Sequence, residues 1–394
     1  MTVVRPENVH QARVLRHLRD GGPRSRAEIG DTVALSRSKL AVEIDRLVAR
    51  SLVETSGLAE SRGGRRSSIV RVSPQIRFLG IDIGATSVAV AITDGELNVL
   101  AYAVEAMDVR KGPDAVLGRA LDLVTKLRSE NAMQSLVGAG VGVPGPVSFS
   151  EGIPVSPPIM PGWNQFPVRE TLSAELGCPV LVDNDVNIMA LGEKHAGIAK
   201  SADDFLFVKL GTGVGCGLVI GGNLYRGVSG CAGDIGHICV DENGPTCACG
   251  HVGCLEALFS GAALSRDALV AARSGRSEFL ARRLEEAGTL TAADVADAAE
   301  AGDAAAHAMI REGGRRVGLM LASLISFFNP GLVVIGGGLA RIGHSLLAEI
   351  RSTAYRTSLP LATGNLPIVL SELGDRAGVI GAARLISDHV FSAG

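Results

Sequence analysis

Between His237 and Cys254 the chain places His237, Cys247, Cys249 and Cys254 within eighteen residues, these cysteines spaced Cys-x-Cys-Gly-x-x-Gly-Cys. One nitrogen and three sulfurs (His237, Cys247, Cys249 and Cys254) make a full tetrahedral set for zinc, and with no position left open such a centre is structural. Structural zinc supplies on the order of 10 kcal/mol to a small element, enough to pin this loop. A cluster of buried thiols is the plain alternative, and His251 is a rival nitrogen ligand. The chain has seven cysteines, an odd number, and most of them crowd between Cys239 and Cys254. That usage fits a metal site in a reducing compartment better than a disulfide framework.

At 394 residues the chain exceeds one ordinary core, so two or three domains are expected. An apolar fraction of 46% with 20% charged residues describes a globular protein. No apolar run of about 18 residues marks a membrane span, and the first residues lack a signal-peptide core. The expectation is a cytoplasmic protein with no membrane partner. Charge is unevenly spread: residues 1–76 carry fourteen Lys/Arg and eight Asp/Glu, while the whole chain is at −3. A basic head on an acidic body points to a polyanion met by the head alone.

Three short amphipathic patterns fill that head. Val9 to Arg19 places Val9, Ala12, Leu15 and Leu18 on one face. Gly21-Gly22-Pro23 ends it, and Ser25 with Glu28 three residues later reads as a capping box opening a second helix. Ser36 caps a third helix from about Arg37 to Arg50, with Leu40, Ile44, Leu47 and Val48 inward. Its first turn offers Arg37, Ser38 and Lys39, with Glu43 one turn on. A short helix, a tight turn and a polar-tipped second helix suit a reader of the DNA major groove. Two strand-like stretches then flank Arg62, Gly63, Gly64, Arg65 and Arg66, a β-hairpin wing whose arginines reach phosphate or minor groove. The candidate DNA contacts are Ser25, Arg26, Ser36, Arg37, Ser38, Lys39, Arg62, Gly64, Arg65 and Arg66. A three-helix protein-interaction module is the competing reading, and it leaves the Gly-Gly-Arg-Arg tip without a purpose.

From residue 77 the texture changes to apolar strands rich in glycine. The strand ending Asp82-Ile83-Gly84-Ala85-Thr86 and the strand ending Leu210-Gly211-Thr212-Gly213 share a strand–turn–strand pattern, an internal repeat that predicts two related lobes. Such turns expose backbone N–H groups to phosphate, and Asp82 is placed to hold magnesium through water. Lys209 stands at the equivalent place in the second copy. A helix over 309–328 precedes the strand Leu332–Ile335 and then Gly336, Gly337 and Gly338. That triple glycine fits either a flat ligand such as adenine or tight strand–helix packing. Asn184 and Asp185 follow the strand of residues 179–182, at the carboxyl end where α/β proteins build sites. They suit vicinal hydroxyls, and the aspartate is also a candidate proton acceptor; helix capping by Asp185 or Asn187 is the alternative.

The zinc segment, Asp82 to Thr86, Val143-Pro144-Gly145-Pro146, Asn184-Asp185, Leu210 to Gly213 and Gly336 to Gly338 together resemble the motifs of the ROK family of repressors and sugar kinases. The resemblance extends to the head, since ROK repressors carry a winged helix with a similar wing and the kinases usually lack one. It implies an α/β chain: an N-terminal winged helix-turn-helix over 1–76, then a two-lobed actin/hexokinase-like (ribonuclease H-like) sugar-kinase fold with a structural zinc. The first lobe would span 77–187, completed by a C-terminal helix at 376–394, and the second 188–375 with the zinc site and an oligomerisation surface. It also implies sugar contacts at Asn184, Asp185, Asp234, His237 and Glu256, with Asp185 in the place of the kinases' catalytic base. Phosphate or ATP contacts would be Asp82, Gly84, Thr86, Gly211, Thr212, Gly213, Gly336 and Gly337.

Three segments depart from the kinase pattern, at four positions. Ala85 and Ser87 stand where the kinases carry Gly and Lys, Asp234 replaces a glutamate, and Ile159 replaces an asparagine that meets the sugar. Losing that amide removes about 1 kcal/mol of hydrogen bonding. The expected function is a DNA-binding regulator of carbohydrate metabolism, a repressor, whose operator binding responds to a sugar or sugar phosphate and which works as a homodimer or homotetramer. The alternative is an ATP-dependent sugar kinase with a regulatory head, using magnesium–ATP only in that case; a third reading is a ligand-independent scaffold.

Overall fold

A computed structural model describes residues 5–58, 68–131 and 135–393. The wing residues Arg62, Gly64, Arg65 and Arg66 lie outside them. The chain divides into two compact units, residues 1–195 with 378–394 and residues 196–377.

Unit 1 opens with α1 (Val9–Gly21), β1 (Arg24–Ser25), α2 (Arg26–Val33), α3 (Arg37–Ala49), β2 (Val53–Leu58) and β3 (Ser68–Val72). Ser25 caps α2 in the expected box, its hydroxyl receiving the Glu28 N–H while Glu28 reaches back to the Ser25 N–H. The three strands form an antiparallel sheet in the order β1-β3-β2. Leu15, Leu18, Ile29, Leu40, Ile44 and Leu47 fill the centre. Two positions differ from the helical-face reading: Val9 and Val48 are exposed, and Val14 takes an interior place. Glu43 differs too. It is buried, receiving hydrogen bonds from Gln11 Nε2 at 3.0 Å and Asn8 Nδ2 at 3.1 Å, so it ties α3 to the start of α1.

The same unit continues with β4 (Phe78–Ile83), β5 (Ser87–Thr93), β6 (Val99–Ala106), α4 (Pro113–Glu130), β7 (Gly138–Val143), the short pair β8 (Val147–Ser148) and β9 (Ile153–Pro154), α5 (Val168–Leu176), β10 (Val180–Asn184) and α6 (Asp185–Ala196). Its main sheet runs β10-β7-β4-β5-β6, parallel from β10 to β4 and antiparallel beyond. The C-terminal helix (Ala377–Val390) packs onto this sheet through a seam of glycines. A Cβ on Gly140 would stand 1.8 Å from the Ala382 carbonyl oxygen, and one on Gly381 would stand 1.6 Å from that of Ile188. Backbone therefore lies on backbone, and no side chain fits between.

The head shares its core with this helix. Ile386, Val390 and Phe391 join the interior of the head, and Phe391 meets Phe78 edge to face at 5.6 Å. Beside them Arg19, fully buried on α1, donates to Asp388 at 2.7 Å, to Ser387 at 3.1 Å and to its neighbour Asp20 at 2.7 Å. Arg384 donates to Asp388 and Asp20, each at 3.0 Å. His195, near the end of α6, brings its Nδ1 to 3.6 Å from Asp20 and 3.2 Å from Arg384. One charged network thus joins α1, α6 and the C-terminal helix.

Unit 2 holds β11 (Phe205–Leu210), β12 (Val214–Ile220), β13 (Asn223–Tyr225), α7 (Leu255–Leu258), α8 (Gly261–Arg273), α9 (Glu278–Ala287), α10 (Ala292–Glu300), α11 (Ala304–Phe328), β14 (Leu332–Gly336), α12 (His344–Thr357) and β15 (Ile368–Leu370). Its sheet runs β13-β12-β11-β14-β15, again parallel on one side of the first strand and antiparallel on the other. The two five-stranded sheets therefore have the same topology, β4 corresponding to β11 and β10 to β15, as the repeated glycine turns led one to expect. Among the described residues no helix is long and apolar enough to cross a membrane.

Candidate functional site

In unit 2 the zinc segment is a loop held to β12 by the Cys216 N–H bonding the Gly233 carbonyl at 2.8 Å. It runs through a single 3-10 turn, Ile235–His237, and ends where Cys254 leads into α7. Ligand atoms of His237, Cys247, Cys249 and Cys254 all lie within 4.8 Å of one another. The edges of this set carry information. A tetrahedral zinc with bonds of about 2.3 Å to sulfur and about 2.0 Å to nitrogen has S–S edges of about 3.8 Å and S–N edges of about 3.5 Å. Cys249 Sγ and Cys254 Sγ are 3.7 Å apart, and Cys247 Sγ is 3.6 Å from His237 Nδ1. The residues fit the ion. His251, exposed, lies outside that set, with its Nδ1 3.4 Å from Cys249 Sγ.

The donors also have the chemistry of a cation site. Burial pushes the Cys254 thiol up to about 12 and raises Cys247 as well. Cys249 moves the other way, down to about 6: burial opposes the shift, and the His251 backbone N–H and ring and the two neighbouring thiols outweigh it. Three sulfurs this close do not ionise together in the absence of a positive charge, which a bound divalent metal would supply.

The other expected contacts fall into two groups. On the edge of the zinc loop, His237 Nε2 lies 3.9 Å from Asp234 Oδ1, which leaves Nδ1 for the metal. Glu256, on α7, accepts the Val214 N–H at 2.9 Å and so ties this helix to the Gly211–Gly213 turn. A Cβ on Gly213 would come to 2.5 Å from that carboxylate. In unit 1, Asn184 is the residue that caps α6, in place of Asp185 or Asn187. Its Oδ1 receives the Val186 and Asn187 N–H groups, and its Nδ2 donates to the Gly145 carbonyl at 2.9 Å. An amide nitrogen carries two hydrogens, so one donor is left for a ligand. Asp185 is buried in the first turn of α6, and Asn187 donates to buried Asp183 at 2.8 Å. That Asp183–Asn187 pair went unread in the sequence.

The glycine turns are tied into the fold. The Gly84 N–H bonds the Ser87 carbonyl at 2.8 Å, and the Val109 and Met107 N–H groups take the Ala85 and Thr86 carbonyls. Asp82 Oδ2 lies where a side chain at Gly378 would sit, at the start of the C-terminal helix. In unit 2 the Gly261 N–H donates to Gly211 and the Ala262 N–H to Thr212, so the start of α8 is occupied by the turn itself. Close packing accounts for two of the triple glycines: a Cβ on Gly336 would strike the Phe207 ring at 2.4 Å, and one on Gly337 the Leu210 carbonyl at 2.5 Å. Gly338 has open space.

On the head, Ser36 caps α3 by accepting the Lys39 N–H at 3.4 Å, and Ser36, Arg37, Ser38 and Lys39 are all exposed. Arg26 pairs with Asp45 at 2.9 Å. Ser25 is buried and committed to its cap.

The ROK family model matches residues 78–389. The chain is 28% identical to the xylose repressor of Caldicellulosiruptor bescii over 98% of its length and 97% of the relative. It is 35% identical to a glucokinase of Halalkalibacterium halodurans, over 79% of its own length and 95% of the relative. Among solved structures, a ROK family transcriptional regulator, a homolog of the E. coli MLC protein, superposes with a TM-score of 0.81 over 97% of this chain and 96% of that one, at 26% identity. The Streptomyces griseus ROK glucokinase, solved with glucose and AMPPNP, superposes with a TM-score of 0.70 over 78% of this chain and 98% of that one, at 30% identity. With matched residues from β4 into the C-terminal helix, the chain belongs to the ROK family.

Proposed function

We propose that the protein is a sugar-responsive, DNA-binding transcriptional repressor of carbohydrate metabolism. One observation carries this reading: repressor and regulator relatives align with the chain over nearly its whole length, head included, whereas the glucokinases stop at about four-fifths of it. The head reads as a winged helix, with α3 as the groove-reading helix and Arg37, Ser38 and Lys39 at its exposed tip. Replacing Arg37 and Lys39 together by alanine should weaken binding to the protein's own promoter DNA at least about tenfold in a gel shift. Undiminished binding would remove α3 from the interface. Paired heads on a symmetric operator call for a homodimer or homotetramer.

Zinc is the ion we assign to His237, Cys247, Cys249 and Cys254, as a structural centre that holds the loop carrying Asp234 and His237 and leading into α7 with Glu256. In unit 1, Asn184 and Asp185 are the groups for sugar hydroxyls. A route from them to the head lies within the same unit. Asp185 opens α6, and His195 near its other end stands 3.6 Å from Asp20 on α1. A sugar that shifts α6 shifts that contact, which gives effector binding an energetic handle on the head. A kinase reading is favoured by Asp185 and by the glucokinase likeness; rapid ADP production from magnesium–ATP across a panel of hexoses and pentoses would establish it in place of a purely regulatory cleft.

A further inference from the structure

A fourth cysteine of the zinc loop has no place in the ligand set. Cys239 is exposed, two residues after His237. Its backbone partner is Cys254, in an isolated antiparallel bridge. The hydrogen bonds flank this pair: the Leu255 N–H donates to Ile238 at 3.0 Å and the Val240 N–H to Gly253 at 2.8 Å. Cys239 and Cys254 therefore form a non-hydrogen-bonded pair, the type that brings opposed Cα atoms to about 4.5 Å. A disulfide spans Cα separations of about 4.4–6.8 Å, so the backbone already meets its requirement. The Cys239 sulfur itself lies 3.3 Å from where a Cβ on Gly253 would be, one residue from its partner.

We propose that Cys239 and Cys254 are an oxidation site, in which a peroxide converts the pair to a disulfide and so removes one sulfur from the metal set. The proposal rests on the zinc reading for its consequence, though not for its geometry. Hydrogen peroxide supplies the oxidant. The Cys239 sulfur attacks the peroxide, an S–O bond forms as the O–O bond breaks, and one water leaves. The Cys254 thiolate, leaving the metal, then attacks the sulfenic sulfur of Cys239, forming S–S and breaking S–O, and the departing hydroxide takes a proton from solvent to become the second water. The two sulfurs together lose two electrons, and the peroxide is reduced to two waters. Exposure of Cys239 makes it the first target, since reaction with peroxide follows access. Cys254 is buried, so it reacts by way of its neighbour.

The test uses the full-length protein as purified, with its metal content measured first. After treatment with a few equivalents of hydrogen peroxide, released zinc is read with a chromogenic chelator. Glu-C digestion without reductant then separates Cys239 from the other three cysteines of the loop by cutting after Glu242. We expect a Cys239–Cys254 linkage, zinc release that follows its formation, and release slowed about tenfold or more in Cys239→Ser, with thiol reductant and added zinc restoring the starting state. Equal release from wild type and variant, or a map that leaves Cys239 a free thiol while other cysteines pair, would overturn the proposal. A protein purified without zinc would contradict the metal reading alone, and the disulfide map of that protein would still decide the pairing.

Discussion

The side chains that matter most are held by chemistry that sequence spacing conveys unevenly. The cluster of His237, Cys247, Cys249 and Cys254 was legible because its four members fall within one loop, and their types would leave zinc few competitors. Cys249→Ser should reduce bound zinc to well under one equivalent by elemental analysis; full retention would shift the nitrogen or sulfur ligands elsewhere in the loop. The Asn184 cap was half legible: a cap was foreseen at the start of α6, and the residue filling it was not. The Arg19 network was invisible, because Arg19 and Asp388 lie at opposite ends of the chain. Trp163, four residues after Ile159, is fully buried, its Nε1–H donating to the Val109 carbonyl at 3.0 Å, so it can report on a ligand only through its neighbours. In that network burial works to raise both aspartates, and it is outweighed by His195, Arg19 and Arg384 at Asp20 and by Arg19 and Arg384 at Asp388. Both are held below the ordinary carboxylate range. A depressed folded value gives stability that is present above the unfolded value of about 3.9 and lost as the pH falls toward the folded one. Wild type should therefore lose more of its thermal midpoint between about pH 5 and pH 3 than Asp388→Asn does. Parallel curves would show that the ion pairs contribute nothing.

Among elements, strands and helices followed their patterns, because alternation and capping are local: α2 begins at its capping box, and both glycine turns join antiparallel strands. What was not legible is why glycines also fill strand and helix interiors. Gly140 sits mid-strand in β7 because the C-terminal helix rests its backbone there. Gly140→Ala should cost about 3 kcal/mol or more, as backbone cannot yield as a side-chain tip does. Gly118 makes the contrast. Exposed within α4 with open space where its Cβ would stand, it should gain about 0.5–1 kcal/mol on replacement by alanine. Chemical denaturation of both variants decides the point, and equal effects would contradict the packing seam. Helix α6 is the other element with a role beyond packing. His195→Ala should leave DNA affinity within about threefold while blunting the sugar response, since it breaks the contact to Asp20 and touches no proposed DNA contact. Loss of DNA binding itself would make His195 a stabiliser of the head instead.

At the scale of the whole molecule, the duplicated body and its basic head were both readable, one from repeated turns and the other from charge and helix order. The attachment of the head was not. Its core is completed by the C-terminal helix, more than 300 residues away along the chain, so the head has no separate interior in unit 1. A shift of the C-terminal helix would therefore be felt in the core of the head. The most direct measurement is the affinity of the zinc-loaded full-length protein for a labelled fragment of its own promoter, followed by fluorescence anisotropy. A panel of pentoses, hexoses and their phosphates is then titrated in. Binding should be tight and salt-sensitive, and at least one sugar should weaken it about tenfold or more. Binding unmoved by every sugar, together with steady ADP production from any of them, would overturn the repressor reading.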